Sequence, residues 1–356
     1  MKQQIRIVGL GWASVGFIQN INTDIYDVEV FSLDSQFVYT PLLAQNIKQS
    51  KTLTLIGSEI KESITYTNRE ISDVEFTSDE LVTKSGEKYQ YDYLVLSHGA
   101  SINTFNISGV DTHCYFLKNE FHAKIIRERL QTLPDQSRIA VIGCGLTGTE
   151  VIGTLLDYNK FKIHAIDGLS RPITMFDEIL SDSVIQLWKE NNIDVNMNQL
   201  VSSISDKNIQ LKNQREIPYD LAIWCGGVKK SNLTDKILSK LNLNNNRGIP
   251  VDKSLQVENT NNAWAIGDCA FSGLPPTAQV AYQQGTYLAK QFNQQFKHST
   301  DFHFNNNGQI GYIGKHQSVC QMPYFKAGGN LIYYLNKCIH VYNGVNWKQK
   351  FHIFKD

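Results

Sequence analysis

Two stretches of the chain run from an unbroken apolar segment through a glycine turn into a helix-period pattern. Residues 5–21, IRIVGLGWASVGFIQNI, predict a buried strand and then a helix with Val15, Ile18 and Ile21 on its inner face. Residues 139–156, IAVIGCGLTGTEVIGTLL, repeat that plan. Shorter apolar runs end in glycine: YDYLVLSHGA (91–100), IPYDLAIWCGGVKKS (217–231) and NTNNAWAIGDCA (259–270). PPTAQVAYQQG (275–285) predicts a helix with Gln279 and Gln283 one turn apart on one face, among the small residues Ala278 and Ala281. Near the C-terminus, Leu331, Leu335, Cys338 and Tyr342 recur at helical spacing, with Ile332 and Ile339 beside them.

The order of these pieces predicts an α/β protein with two Rossmann-like dinucleotide-binding domains, one inserted in the other, and a short C-terminal α+β region. Residues 1–108 begin the first domain, 109–235 form the insert, 236–300 complete the first domain, and 301–356 follow. A chain of 356 residues has the length for two or three domains.

Composition narrows the chemistry. Lys+Arg and Asp+Glu are both 34, so no net field attracts nucleic acid. The six cysteines are scattered and form no C-x-x-C, which argues against a disulfide framework, a zinc site or a dithiol pair, and suits a reducing compartment. The start, MKQQ followed at once by an apolar strand, predicts neither signal nor transit peptide, and no apolar run has the length to span a bilayer. His298, His303, His340 and His352 lack an i,i+4 histidine partner and read as surface or satisfied core groups, with no metal site expected.

The glycine turns carry the chemistry. Gly9 and Gly11 fill the first two places of G-x-G-x-x-G and Ser14 the third. The second turn is complete, with Gly143, Gly145 and Gly148. In such turns the first glycine permits the tight bend and the second lets the backbone approach a pyrophosphate on the helix N-terminus. Asp167 ends the next strand, 24 residues beyond Gly143, where an acid accepts hydrogen bonds from an adenosine ribose and favours NAD(H). After the first turn the acid is less clear: Asp34 has a suitable spacing, but Ser32 competes for the ribose place. Gly99 would close over the first dinucleotide, and Gly226 and Gly227 would pass close to a nicotinamide. Gly267-Asp268, at a strand end, suits the ribityl chain or pyrophosphate of a flavin. Two dinucleotides, FAD and NAD(H), imply hydride transfer.

The chain resembles the two-dinucleotide-binding-domain flavoproteins and, within them, the type II (non-proton-pumping) NADH:quinone oxidoreductases. The resemblance covers nearly the whole chain. It is carried by FVYTPLLAQ (37–45), by Glu150 in GLTGTE, by Asp268 in AIGDCA, by Ala278-Gln279-x-x-x-Gln283, and by GQIGYIGKHQSV (308–319) with Lys315. It implies that Thr40 and Pro41 border the flavin ring and that Glu150 lies beside the nicotinamide as a proton relay or positioning group. It further implies that Gln279 and Gln283 meet the quinone, ubiquinone or menaquinone, and that Lys315 lies at the flavin end of the quinone tunnel. NADH would reduce the flavin, and the flavin a quinone. An amide can donate to a quinone carbonyl and accept from a quinol hydroxyl without changing charge. Ser14 and Ser32 depart from the family pattern and bear on FAD affinity.

The aromatic C-terminal segment, with Lys337, Lys348, Lys350 and Lys355, fits a membrane interface. The expected location is the cytoplasm, as a peripheral protein on the inner face of the cell membrane if that segment docks. The competing reading packs the helix on the core or on a second subunit of a homodimer. Two other functions share the plan. A sulfide:quinone oxidoreductase would need cysteines poised at the flavin, for which Cys144, Cys225 and Cys320 are the candidates. A low-turnover NADH-responsive flavoprotein would act as a binding or signalling module.

Overall fold

The computed structural model describes residues 2–34, 36–50, 54–297 and 300–355, apart from the Lys355 side chain. His298 therefore lies outside the described residues. The chain forms two compact units, Met1–Val38 with Thr54–Ser101 and Val228–Asn305, and Tyr39–Leu53 with Ile102–Gly227 and Asn306–Asp356. The C-terminal region thus groups with residues 102–227, and a loop from the N-terminal region joins the same unit. Five helices carry the residues of interest: α1 (Trp12–Asn20), α2 (Leu146–Leu156), α3 (Ala278–Asn293), α4 (Asn330–Asn343) and α5 (Trp347–Lys355).

The first unit is built on a parallel five-stranded sheet in the order Ala263–Ala265, Tyr93–Leu96, Gln3–Val8, Tyr26–Phe31, Thr65–Thr67. Gln3–Val8 is central, with Ile5 opposite Val28 on one side and Tyr93 on the other. Both Ile5 and Ile7 are fully buried, as a central parallel strand requires. Helices α1 and α3 cross at Gly16 and Gly285. A Cβ on Gly16 would lie 2.3 Å from the Tyr282 carbonyl oxygen, and one on Gly285 would lie 2.0 Å from that of Ala13. Beyond the crossing, Phe17, Tyr26, Tyr93, Trp264 and Phe292 form an edge-to-face aromatic cluster that closes the core. Burying one such ring contributes about 2–3 kcal/mol.

The second unit repeats the parallel plan in the order Cys114–Phe116, Leu221–Trp224, Arg138–Ile142, Lys162–Ile166, Asp194–Asn196. Here too the first strand after a glycine-poor lead, Arg138–Ile142, is central. An antiparallel meander, Gln309–Gly314, Gln317–Met322 and Phe325–Gly329, packs its first strand on α2 and runs into α4. The approach to α2 is close, because a Cβ on Gly153 would lie 2.6 Å from the Gly314 nitrogen. The α/β class and the two Rossmann-like sheets expected from the apolar strand–glycine–helix pattern are thus both present.

Candidate functional site

In the first unit the Gly9–Ser14 turn joins the central strand to α1. Gly9 has φ +107°, and a Cβ there would lie 2.5 Å from the Ser97 carbonyl oxygen. Gly11 caps α1 with open space around it, nothing lying within 4 Å of a Cβ placed there. Ser14 is fully buried, its hydroxyl 2.6 Å from the Gly9 carbonyl oxygen and 2.7 Å from the Ser97 hydroxyl. The serine therefore ties the turn to the strand end beside it. Gly99 has the same open surroundings as Gly11. Asp34 is exposed on the bend after Tyr26–Phe31.

Two residues missed by sequence reasoning complete this region. His98 lies between Ser97 and Gly99, with Nε2 2.9 Å from the Thr234 hydroxyl. Burial pushes its pKa down to about 4, so the imidazole is neutral near pH 7, and its buried Nδ1 has no hydrogen-bond partner. Gln284 is almost fully buried. Its Oε1 accepts the Gly267 N–H at 2.7 Å, and its Nε2 donates to the Ser272 hydroxyl at 3.0 Å. The signal for it was present: Gln284 shares the i, i+4 stripe of Val280 and Leu288, all buried. The amide holds the turn Gly267–Cys269, and so Asp268, against the start of α3.

The paired glutamines behave differently from the third. Gln279 and Gln283 are half-buried on α3, which Thr277 caps and Ala278 begins. Gln283 clamps one peptide: its Nε2 donates to the Asn305 carbonyl oxygen at 2.8 Å, and its Oε1 accepts the Asn305 N–H at 2.9 Å. One N–H and one lone pair of that amide remain for other partners.

The second unit's turn is tighter. Gly143 has φ +93°, and Gly145 caps α2 in open space. Gly148 touches the backbone, since a Cβ there would lie 1.8 Å from the Gly143 carbonyl oxygen. Asp167 accepts the Cys144 N–H at 2.5 Å and the Leu169 N–H at 2.8 Å, which aligns its carboxylate beside the turn. Gly226 lies against the Trp224 ring, and Gly227 (φ +115°) faces open space. Each turn thus offers a cradle that a Cβ would fill and a helix N-terminus behind it, which fits the pyrophosphate of a dinucleotide. In the first unit the unpartnered Nδ1 of His98 adds a buried polar atom for a ligand to complete.

Glu150 was expected to open its helix. It lies a turn further in, and the first turn of α2 carries no acid. A Cβ on Gly311 would lie 3.8 Å from the Glu150 Oε1, so the carboxyl faces the Gly311–Tyr312 strand. Burial pushes its pKa up to about 8, and a hydrogen bond from the Tyr312 backbone pulls it partly back. Lys315 is not brought to it. The lysine sits in the hairpin turn with φ +52°, donates its N–H to Asp157 at 3.0 Å, and has its Nζ 3.3 Å from Asn159. Asp157 ends α2, seven residues beyond Glu150, about 10 Å along a helix. The expectation that Lys315 stands at the flavin end of a tunnel is corrected accordingly: the hairpin turn, anchored on Asp157 also by the Tyr312 hydroxyl at 2.6 Å, carries it to the other end of α2.

Thr40 and Pro41 form a one-turn helix, Thr40 exposed and Pro41 half-buried, behind the buried Tyr39. All six cysteines are free thiols. Burial pushes Cys225 and Cys269 up to about 12 and raises Cys144 and Cys320, so these sulfurs are held as inert thiols. The described residues contain no group of three or more metal-ligating side chains.

Two Gly-rich turns at the ends of parallel sheets define a protein that holds two dinucleotides, and the chain belongs to the pyridine nucleotide-disulphide oxidoreductase family, which matches residues 3–285. Within it, the chain is 29% identical to a probable NADH dehydrogenase of Dictyostelium discoideum, over 92% of this chain and 82% of that one. It is 26% identical to a probable mitochondrial NADH-ubiquinone oxidoreductase of Schizosaccharomyces pombe, over 96% and 78%. The structure of NDH2 from Plasmodium falciparum in complex with NADH superposes with a TM-score of 0.91 at 25% identity, covering 100% of this chain and 97% of that one.

Proposed function

We propose that this chain is an FAD-dependent NADH:quinone oxidoreductase of the type II, non-proton-pumping kind. The observation that carries the reading is the pair of open glycine cradles, Gly11 and Gly145, each capping a helix at the end of its own parallel sheet. When bound, the flavin accepts a hydride from NADH and passes two electrons on to a quinone. The protein's part is to bind, orient and supply protons. The Asp167 carboxylate, fixed by two backbone N–H groups, keeps lone pairs for ribose hydroxyls and so favours NADH. Asp34 is the corresponding, less constrained acid for the FAD ribose. Gly226 and Gly227 leave room for the nicotinamide, Gly99, Gly267 and Asp268 for the flavin chain, and Thr40 and Pro41 border the ring.

Gln279 and Gln283 are the amides that meet the quinone. The Asn305 clamp orients Gln283 and leaves it one N–H and one lone pair, enough to donate to a carbonyl and accept from a hydroxyl. Glu150, protonated near pH 7, can give a proton and recover it from solvent. Lys315 takes no direct part. The raised thiols count against the sulfide-oxidising alternative, which needs a reactive sulfur.

The quinone partner and the C-terminal surface agree. On α4 and α5, Leu331 (81% exposed), Tyr342, Trp347 (87%), Phe351 and Phe354 face outward with Lys337 and Lys348. The Lys350 ammonium lies 5.8 Å from both the Tyr342 and Trp347 ring centroids. Aromatic rings and lysines on one exposed face suit an anionic lipid surface. No helix among the described residues is long and apolar enough to cross a membrane. The expected apolar stripe is partly reversed: Leu331, Cys338 and Tyr342 are exposed, while Ile332, Asn336 and His340 are buried. The inner stripe keeps its polar members because each meets a partner, Asn336 the Ser318 hydroxyl and His340 that of Tyr39.

An absorbance spectrum tests the reading. The purified protein should be yellow, bleach with NADH under anaerobic conditions and recolour on adding quinone. A colourless protein that FAD does not reconstitute would refute it. Gln279→Ala with Gln283→Ala should spare bleaching by NADH and slow recolouring about tenfold or more; equal loss of both steps would remove the glutamines from the quinone site.

A further inference from the structure

Within the second unit the segment 39–48 is gripped at several points. Arg127 donates to the Asn46 carbonyl oxygen at 2.5 Å and to its side-chain oxygen at 3.2 Å. The Tyr158 hydroxyl donates to the Ile47 carbonyl oxygen at 2.9 Å, and Lys48 Nζ to that of Asp157 at 2.7 Å. These three grips hold the end of the segment that follows Ala44. The beginning is held from elsewhere in the chain: the Tyr39 hydroxyl lies 3.2 Å from His340 Nδ1 and 3.3 Å from the His340 carbonyl oxygen. Both residues are buried, and 301 positions separate them. Both contacts are satisfied together if Nδ1–H donates to the tyrosine oxygen and the tyrosine hydroxyl donates to the carbonyl.

The placement of His340 gives this contact its meaning. It lies on the inner stripe of α4, whose outer stripe exposes Leu331, Cys338 and Tyr342. Tyr39 immediately precedes Thr40 and Pro41. A buried hydroxyl–imidazole pair adds little net stability over an apolar pair of like shape, but it fixes one geometry. We infer that Tyr39 and His340 form a positioning contact through which α4 sets the Thr40–Ile47 loop, so that seating the outer face of α4 on a lipid surface steadies the loop assigned to the flavin and quinone. The inference rests on the proposed function for what the loop borders and on the proposed lipid face for what moves α4.

Amide hydrogen exchange over residues 40–47 of the FAD-loaded protein, with and without anionic phospholipid vesicles, reads the contact apart from turnover. Tyr39→Phe keeps the ring and removes only the hydroxyl. It should speed exchange in 40–47 about fivefold, the factor expected for one lost hydrogen bond, and raise KM for a soluble short-chain quinone by a similar factor, with bleaching by NADH unchanged. His340→Asn, whose amide can donate or accept near the Nδ1 position, should stay close to wild type, and His340→Phe should match Tyr39→Phe. Vesicles should slow exchange in 40–47 of the wild type and leave Tyr39→Phe unaffected. Unchanged exchange in Tyr39→Phe, or equal protection of both proteins by vesicles, would overturn the inference. Vesicle sedimentation reports docking separately: a wild type that stays in the supernatant removes the lipid face, while the vesicle-free exchange and KM comparisons still decide whether His340 positions the loop.

Discussion

At the third small position of the two glycine turns stand Ser14 in the first unit and Gly148 in the second, and the two residues answer different distances. Behind Gly148 the backbone is so near that a Cβ would lie 1.8 Å from the Gly143 carbonyl oxygen. Behind Ser14 there is room for a side chain, and the space is filled by a hydroxyl that bonds to Gly9 and Ser97. A missing glycine thus marks a wider helix–strand gap bridged by hydrogen bonds. The buttress behind the turns differs as well: in the first unit the Gln284 amide holds Gly267, and in the second the Asp167 carboxylate holds Cys144.

The sharpest break of that comparison is an exchange of the two residues. Gly148→Ser should cost about 3 kcal/mol or more through overpacking against backbone and abolish NADH binding, read by calorimetry and thermal unfolding. Wild-type affinity in that variant would mean the second gap is as wide as the first. Gln284→Ala strands the buried Gly267 N–H and should cost about 2 kcal/mol, with FAD lost on gel filtration. Ser14→Ala removes one donor from a paired hydroxyl and should cost about 1 kcal/mol, with FAD weakened a fewfold; no change in flavin retention would show that the hydroxyl bridge is incidental.

The smallest effects separate the units by pH. His98 is held near 4 against an ordinary 6.5, so between these values the unfolded chain binds more protons and the first unit loses stability as pH falls from about 6.5 towards 4. Glu150 is raised to about 8 from an ordinary 4.5, so the folded chain binds more protons in that window. Its contribution is full below about 4.5 and is lost as pH rises through 8. The slopes have opposite sign. His98→Asn should flatten the acid limb of a plot of unfolding temperature against pH, and Glu150→Gln the alkaline limb. If both variants leave the profile unchanged, neither group is as buried as its surroundings indicate.

Local sequence was sufficient for the strand–glycine–helix units, because strand periodicity, helix periodicity and glycine spacing are short-range properties. It placed Gly9, Gly11, Gly143, Gly145 and Gly148 in turns that have the required open or close surroundings. Gln284 was legible in principle, since its stripe along α3 is local. Lys315 was misplaced because a hairpin's motif does not say which end of a helix its turn will cover. The C-terminal stripe was misjudged for a related reason: helical spacing identifies the faces of α4 but not which of them is buried.

Taken alone, the chain's residue order determines two dinucleotide turns, the acid Asp167 and an amide-bearing helix, since each depends on neighbours within a few turns of backbone. Only the tertiary structure decided that Gln283 is clamped by Asn305, that Glu150 is held protonated beneath Tyr312, and that Tyr39 meets His340. Those outcomes depend on desolvation and on hydrogen bonds between groups up to 301 residues apart, and neither is encoded in any short window.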